Sequence, residues 1–208
     1  MGRRFDALDD TLVDWIGAQP LFFVATAPTD PSGHLNISPK GGQDTFRVLG
    51  PTTVAYLDLN GSGIETVAHL RDNGRIVLMF CAFAGPPKIL RLHGHGRIVQ
   101  EHEPEFSDLL KRFRPAEEIL SVLRSIVVVD VTRIADSCGF VVPRMDFVEE
   151  RDQLFRWAER KRDQGGEDWA LKYRQANNAT SIDGSPGLDV PQPVDNDVEH
   201  FSSAGRAL

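Results

Sequence analysis

Hydrophobic and polar positions follow two different rhythms along this chain of 208 residues. Between Asp9 and Gln19 the apolar side chains Leu12, Trp15 and Ile16 recur at helical spacing, behind Asp9, Asp10 and Thr11, which suit the start of a helix. From Leu21 the period shortens. Runs rich in β-branched and aromatic residues occupy Leu21 to Ala27, His34 to Pro39, Thr52 to Asp58, Arg75 to Phe83, Ile89 to Gln100 and Ser125 to Ile134. Turn formers such as Pro28 to Gly33, Gly41-Gly42 and Gly85-Pro86-Pro87 separate most of them, which predicts an antiparallel sheet or barrel. Most connections are too short for the crossovers that parallel strands need.

Two helical stretches interrupt the strands: Gly63 to Asp72, and Pro104 to Leu123, which Pro115 breaks in two. The fold class is therefore α+β and mainly β. Beyond Cys138 the rhythm becomes helical again. Phe147 to Arg162 and Asp168 to Ala176 read as charged helices that bury Leu154, Phe155, Trp157, Trp169 and Tyr173. From Asp189 to Leu208 little periodicity is left, which predicts a disordered or extended tail. The expected organisation is a barrel domain over residues 1–146, a helical extension over 147–188 and a tail over 189–208.

Composition narrows the function classes. Hydrophobic residues make up 41% and charged residues 25%, as in ordinary globular proteins. A net charge of −7 opposes attraction to a nucleic-acid backbone, so nucleic acid is not an expected partner. The longest apolar run, Arg75 to Ala84, is about ten residues, against the roughly 20 that span a bilayer, so no membrane segment is expected. Two cysteines, Cys81 and Cys138, make no disulfide framework, and the chain opens on an acidic amphipathic stretch rather than a signal core, so a reduced, cytoplasmic protein is expected.

Three constellations carry candidate chemistry. In His34 to Gly42, strand alternation places His34, Asn36, Ser38 and Lys40 on one face. Short hydrogen-bonding groups ending in a lysine suit an anionic or heteroaromatic ligand, and equally describe a solvent-facing strand. In Tyr56 to Thr66 a strand runs through a glycine-rich turn into a helix near Gly63, where free backbone N–H groups beside Asn60 and Ser62 could cradle a phosphate. Simple capping by Asn60 or Ser62 is the alternative, since neither nucleotide-loop pattern is matched. In Lys88 to Arg97, Arg91, His93 and His95 share one side of a strand. Arg91 suits a phosphate or flavin contact and the glycines a bulge, whereas a metal site lacks a nearby carboxylate or Cys. Cys81 reads as core rather than nucleophile, and Cys138, after Asp136-Ser137 at the end of the last barrel strand, leaves a functional role open.

The order of these parts resembles the pyridoxamine 5′-phosphate oxidase-like family of flavoproteins. The resemblance runs from Phe22-Phe23-Val24-Ala25-Thr26 through Asn36 to Lys40, Tyr56-Leu57-Asp58, Ala68 to Arg75, Ile76 to Phe83 and Arg91-Leu92-His93-Gly94. Asp136 to Pro143, Tyr173 to Asn178 and Ser181 to Leu188 look like a bacterial subgroup of it. The resemblance implies an FMN-binding split barrel, a homodimer with FMN at the interface, and an FMN-dependent oxidoreductase acting on a small organic molecule. It implies that Asn36, Ser38 and Lys40 meet the ring or ribityl chain, with Tyr56 in the segment beside them, and that Asn60, Ser62, Thr66 and Arg91 hold the phosphate.

Where relatives that make pyridoxal phosphate carry Arg and Lys before the central helix, this chain has Gly61-Ser62-Gly63-Ile64-Glu65-Thr66. It also shows no Arg-containing phosphate-binding ending, so vitamin B6 synthesis is not expected. A barrel that holds flavin or a tetrapyrrole without turnover, and one that takes the deazaflavin F420 in place of FMN, are the alternatives.

Overall fold

The computed structural model describes residues 2–42 and 44–191. Eight strands form one antiparallel sheet: β1 (Arg4–Phe5), β2 (Leu21–Thr26), β3 (Asn36–Gly41), β4 (Phe46–Gly50), β5 (Thr53–Leu59), β6 (Arg75–Cys81), β7 (Ile89–Val99) and β8 (Leu123–Ser137). Their order is β3-β2-β6-β7-β8-β5-β4, with β1 added to β8. The sheet curls around a core of Phe22, Val24, Tyr56, Leu78, Phe80, Leu90, Leu92 and Val127. Strands β3 and β4 end the ladder without pairing to each other, so the barrel is split there.

Helix α1 (Asp10–Gly17) starts where Asp9 accepts a hydrogen bond from the Leu12 N–H, and its buried Leu12 and Ile16 join the barrel core. The opposite face of the sheet is covered by α3 (Phe106–Phe113) and α4 (Glu117–Val122). These pack Phe106, Phe113 and Ile119 against Ala55, Leu57, Ile126 and Val128. The break between them falls at Pro115, where Arg114 takes a left-handed conformation with φ 51°. The expected α+β, mainly β architecture with peripheral helices is the observed one.

Two strands differ from the expected set. β1 and β4 were not anticipated: one has two residues, and Phe46–Gly50 gives no clean alternation because all of it is half-buried. β3 begins at Asn36 rather than His34. The His34 backbone and ring both donate to Asp183, at 2.8 and 2.6 Å, which draws that residue out of the ladder. The bulge expected among the glycines of β7 lies between His93 and Gly94. A side chain at Gly94 would stand 2.2 Å from the Asp130 carbonyl oxygen.

The C-terminal helices α5 (Gln153–Gly165) and α6 (Trp169–Asn177) pack Ala158 and Trp169 on Val122, with Trp157 edge-on to both Trp169 and Tyr173. The chain then returns across α2 (Glu65–Asp72), where Leu188 joins Ile64 and Val67. Asp189, the first residue of the expected tail, is tied to the barrel. Its carboxylate pairs with Arg71, its N–H donates to Gln100 at 2.9 Å, and Val190 packs beside Leu188. These apolar and ionic anchors hold residues 189–191 on the barrel. The rest of that segment, 192–208, lies outside the described residues.

Candidate functional site

The polar row on β3 is a consequence of inverted alternation. Asn36, Ser38 and Lys40 turn inward and are half-buried, while Ile37 is 67% exposed on the outer face. They meet the start of α2 across a cavity of about 380 Å3, whose wall includes Asn36, Ser38, Lys40, Asn60, Ser62 and Thr66. Such a volume falls in the usual range for a small-molecule site.

Beneath it lies a buried ionic cluster. Asp58 follows Tyr56 by one strand period, so it continues the inward face of β5 at the mouth of the barrel, with no exposed surface. Its carboxylate accepts from Arg124 Nε at 2.6 Å, Lys40 Nζ at 2.9 Å and Ser125 Oγ at 3.3 Å. Burial by itself pushes the Asp58 carboxyl up. The Arg124 guanidinium and then the Lys40 ammonium outweigh it and hold the group well below the usual carboxylate range. Arg124 also donates to the carbonyls of Gly61 and Gly63, at 3.1 and 2.9 Å.

That grip shapes the helix entrance. With the Gly61 and Gly63 carbonyls turned to Arg124, the helix begins at Glu65 rather than Gly63, and its N-cap is Ile64 without a side-chain hydrogen bond. Capping by Asn60 or Ser62 therefore does not occur, and the first N–H groups of α2 carry the partial positive charge of an uncapped end beside the Thr66 hydroxyl.

From the other side α6 closes the loop. Arg174 donates to Asn60 Oδ1 at 3.0 Å and to the Leu123 carbonyl at 2.7 Å, and Asn178 Nδ2 donates to the Gly61 carbonyl at 2.9 Å. Gly187 lets the returning chain lie against this turn, because a side chain there would stand 2.2 Å from the Asn178 carbonyl oxygen. Two buried amide atoms, Asn60 Nδ2 and Asn178 Oδ1, have no partner. An unpaired buried donor in a residue that lines a cavity marks a place where a ligand would complete the hydrogen bonding.

The structure thus brings Asn36, Ser38, Lys40, Asn60, Ser62 and Thr66 to one place. Tyr56 and Arg91 stand elsewhere. The Tyr56 ring packs edge-on to Phe22 at 5.5 Å in the barrel core, where burial, and then Asp58, push its phenol up. Arg91, on β7, donates to Ser137 Oγ at 3.0 Å. Ser137 belongs to a second cavity, lined with Trp15, Lys88 and Cys138. Strand β7 lies between β6 and β8, not beside β3 or β5, which separates Arg91 from the polar row. Arg124, Arg174 and Asn178 were not singled out from sequence. A signal existed for the first of them: Arg124 and Asp58 are opposite charges within two near-continuous apolar strands, and buried charges require partners.

A profile of the Pyridoxamine 5'-phosphate oxidase family matches residues 8–138. The chain is also 38% identical over 197 residues to the Pyridoxamine 5'-phosphate oxidase family protein ustO of Aspergillus flavus, covering 88% of this chain and 77% of that one. The chain belongs to the pyridoxamine 5′-phosphate oxidase family. That relative is fungal.

Similar solved structures include HupZ from Group A Streptococcus, with a TM-score of 0.49 at 24% identity, covering 62% of this chain and 99% of that one. An FMN-binding protein from Syntrophomonas wolfei has a TM-score of 0.44 at 12% identity, covering 66% and 84%. The FAD binding protein from Mycobacterium smegmatis has a TM-score of 0.42 at 19% identity, covering 64% and 97%. Among the described residues no helix is long and apolar enough to cross a membrane, and no cluster of three or more His, Cys, Asp or Glu is placed to hold a metal ion.

Proposed function

We propose that this family member binds FMN in the cavity between β3 and the start of α2, and acts as an FMN-dependent oxidoreductase on a small organic molecule. The observation that carries this reading is the meeting of the inward polar row, the uncapped helix end and the unpartnered Asn60 amide around one cavity. These residues suit a phosphorylated heteroaromatic group. Ser62, Thr66 and the first N–H groups of α2 would hold the phosphate, and Asn36 and Ser38 would meet ring or ribityl heteroatoms. Bound flavin would supply the electron transfer, with the protein contributing orientation and electrostatics.

The cationic groups are partly committed. Asp58 already holds Arg124 and Lys40, so the phosphate would rest on backbone N–H and hydroxyl donors, with Lys40 as the adjustable charge. Arg91 has no part in this assignment. Glu65 lines the cavity and accepts from the Ile182 N–H, which places a carboxylate where a more basic loop would carry Arg or Lys.

A homodimer is the assembly this reading favours. Leu35 just before β3 and Ile37 on its outer face, and Phe140, Val141, Met145, Phe147 and Val148 in the segment after β8, are exposed large apolar side chains that a second copy would cover.

Titration with FMN tests the assignment. Replacing Lys40 and Ser62 together with alanine lowers affinity by about tenfold or more; unchanged affinity would overturn it. Reduction of the bound flavin by a nicotinamide, followed by re-oxidation by a substrate faster than free FMN, separates an enzyme from a flavin or tetrapyrrole carrier. Competition between FMN and F420 decides between the cofactors.

A further inference from the structure

One wall of the cavity is wired to a buried histidine. Thr26, opposite Asn36 in the β2–β3 ladder, has its hydroxyl 2.9 Å from His69 Nδ1 on α2. Asn36 Nδ2 donates to Thr26 Oγ1 at 3.1 Å and to Thr66 Oγ1 at 2.9 Å, while Asn36 Oδ1 accepts from Ser38 Oγ at 3.0 Å. Asn36, Ser38 and Thr66 face the cavity. Thr26 and His69 are buried behind them, at 5% and 1% exposure.

The polarity of this chain is decided at its histidine end. A hydroxyl has one proton to give, and a carboxamide carries protons only on nitrogen. Burial lowers the pKa of His69, against the opposing charges of Asp183 on the returning chain and of Glu65 and Asp72 on its own helix, so the ring is neutral near pH 7. With the ring proton on Nε2, Nδ1 accepts the Thr26 proton. Thr26 then only accepts from Asn36, whose nitrogen faces both threonines. The amide oxygen takes the Ser38 proton, and the Ser38 lone pairs turn to the cavity. A proton on Nδ1 would leave the Thr26 proton free for the Asn36 oxygen, so that the Asn36 amide could turn over and Ser38 present its O–H. The Asn36 orientation in the structure is that of the first arrangement.

We propose that His69 is a positioning residue whose tautomer, passed through Thr26 and Asn36, makes Ser38 a hydrogen-bond acceptor and so matches the cavity to a heteroaromatic ligand that presents a ring N–H. The ligand half of this statement rests on the flavin reading above; the relay half does not.

The ligand-free full chain, labelled with [15N]histidine, tests the relay directly. Long-range proton–nitrogen NMR at neutral pH, with His69 assigned by the spectrum of His69→Gln, is expected to show the neutral Nε2–H form. An Nδ1–H form or an imidazolium overturns the proposal. Thr26→Val keeps the shape of the side chain but cuts the relay. It is expected to shift the His69 nitrogen signals and to weaken FMN binding about tenfold, with both effects restored in Thr26→Ser. An unshifted His69 spectrum in a folded Thr26→Val protein overturns the relay, as judged by a cooperative melt. Equal FMN affinity in Thr26→Val and the parent protein overturns the acceptor role of Ser38. If the parent protein takes up no FMN, the flavin reading falls, while the NMR result still decides the relay.

Discussion

Two cavities among the described residues differ in build. The larger, about 640 Å3, is lined by Trp15, Pro86, Pro87, Lys88, Asp136, Ser137 and Cys138. Of its two charged residues, Lys88 lies over the faces of Trp15 and Phe5, at 4.6 and 5.8 Å, and Asp136 accepts from the Arg3 N–H at 2.6 Å. The smaller, about 380 Å3, is backed by a fully buried carboxylate held by two cations, by an uncapped helix end and by unpartnered amide atoms. Size and buried polarity do not coincide. What separates the two is the convergence of buried polar groups, which costs stability to assemble and is retained where something is to be bound. Arg91 and Arg124 make the same point: both are strand arginines, but one ends beside the first cavity and the other ties together the second.

Breaking each cavity's arginine gives the widest expected separation. Arg124→Met leaves Asp58 buried with Lys40 as its only cation, frees the Gly63 carbonyl and leaves the Gly61 carbonyl to Asn178 alone. The expected loss is about 3–5 kcal/mol of unfolding free energy in a urea titration. Arg91→Met removes one half-buried hydrogen bond to Ser137, and about 1 kcal/mol is expected. Equal losses at the two positions would mean that the ionic cluster has no special weight.

Closure by the C-terminal segment is probed at Gly187. A methyl group there meets the Asn178 carbonyl oxygen and Ile64, so Gly187→Ala is expected to cost about 1–3 kcal/mol and to speed proteolysis after α6. A variant as stable and as protease-resistant as the parent would show that the segment does not press on the loop.

Acid sharpens the contrast further. The folded carboxyl of Asp58 lies below its unfolded value of about 3.9, so its pairing contributes fully above about pH 4 and is lost as pH falls from there toward the folded value. Asp58→Asn removes that part of the acid limb, which a series of melting curves between pH 6 and pH 2 would register as a flatter slope in the variant. An identical slope refutes the assignment.

The smallest effect belongs to the first cavity. Cys138 is exposed and Cys81 is buried, its thiol pushed up chiefly by burial. A disulfide reagent is expected to modify Cys138 in the native protein and Cys81 only on unfolding, with Cys138→Ser changing stability by less than about 0.5 kcal/mol. Rapid modification of both thiols in native buffer would contradict the burial of Cys81.

Local pattern alone determined a good deal of this protein. Six of the eight strands, the break at Pro115 and the helices after Phe147 are legible because alternation, helical spacing and proline act over a few residues. So were most of the residues at the cavity, since a polar row on β3 and a glycine-rich turn before a helix are local features. Tertiary structure decided whether that row faces solvent or a cavity, since the curl of the sheet turns Asn36, Ser38 and Lys40 inward and Ile37 out. It also decided which charges meet. Arg124 lies 66 positions from Asp58 in the chain and Asn178 lies 117 from Gly61, separations at which no periodicity carries information. Arg91 and Tyr56 lie outside the lining that the other six residues share. A side chain's type is written locally, whereas the partner it finds depends on how the sheet closes.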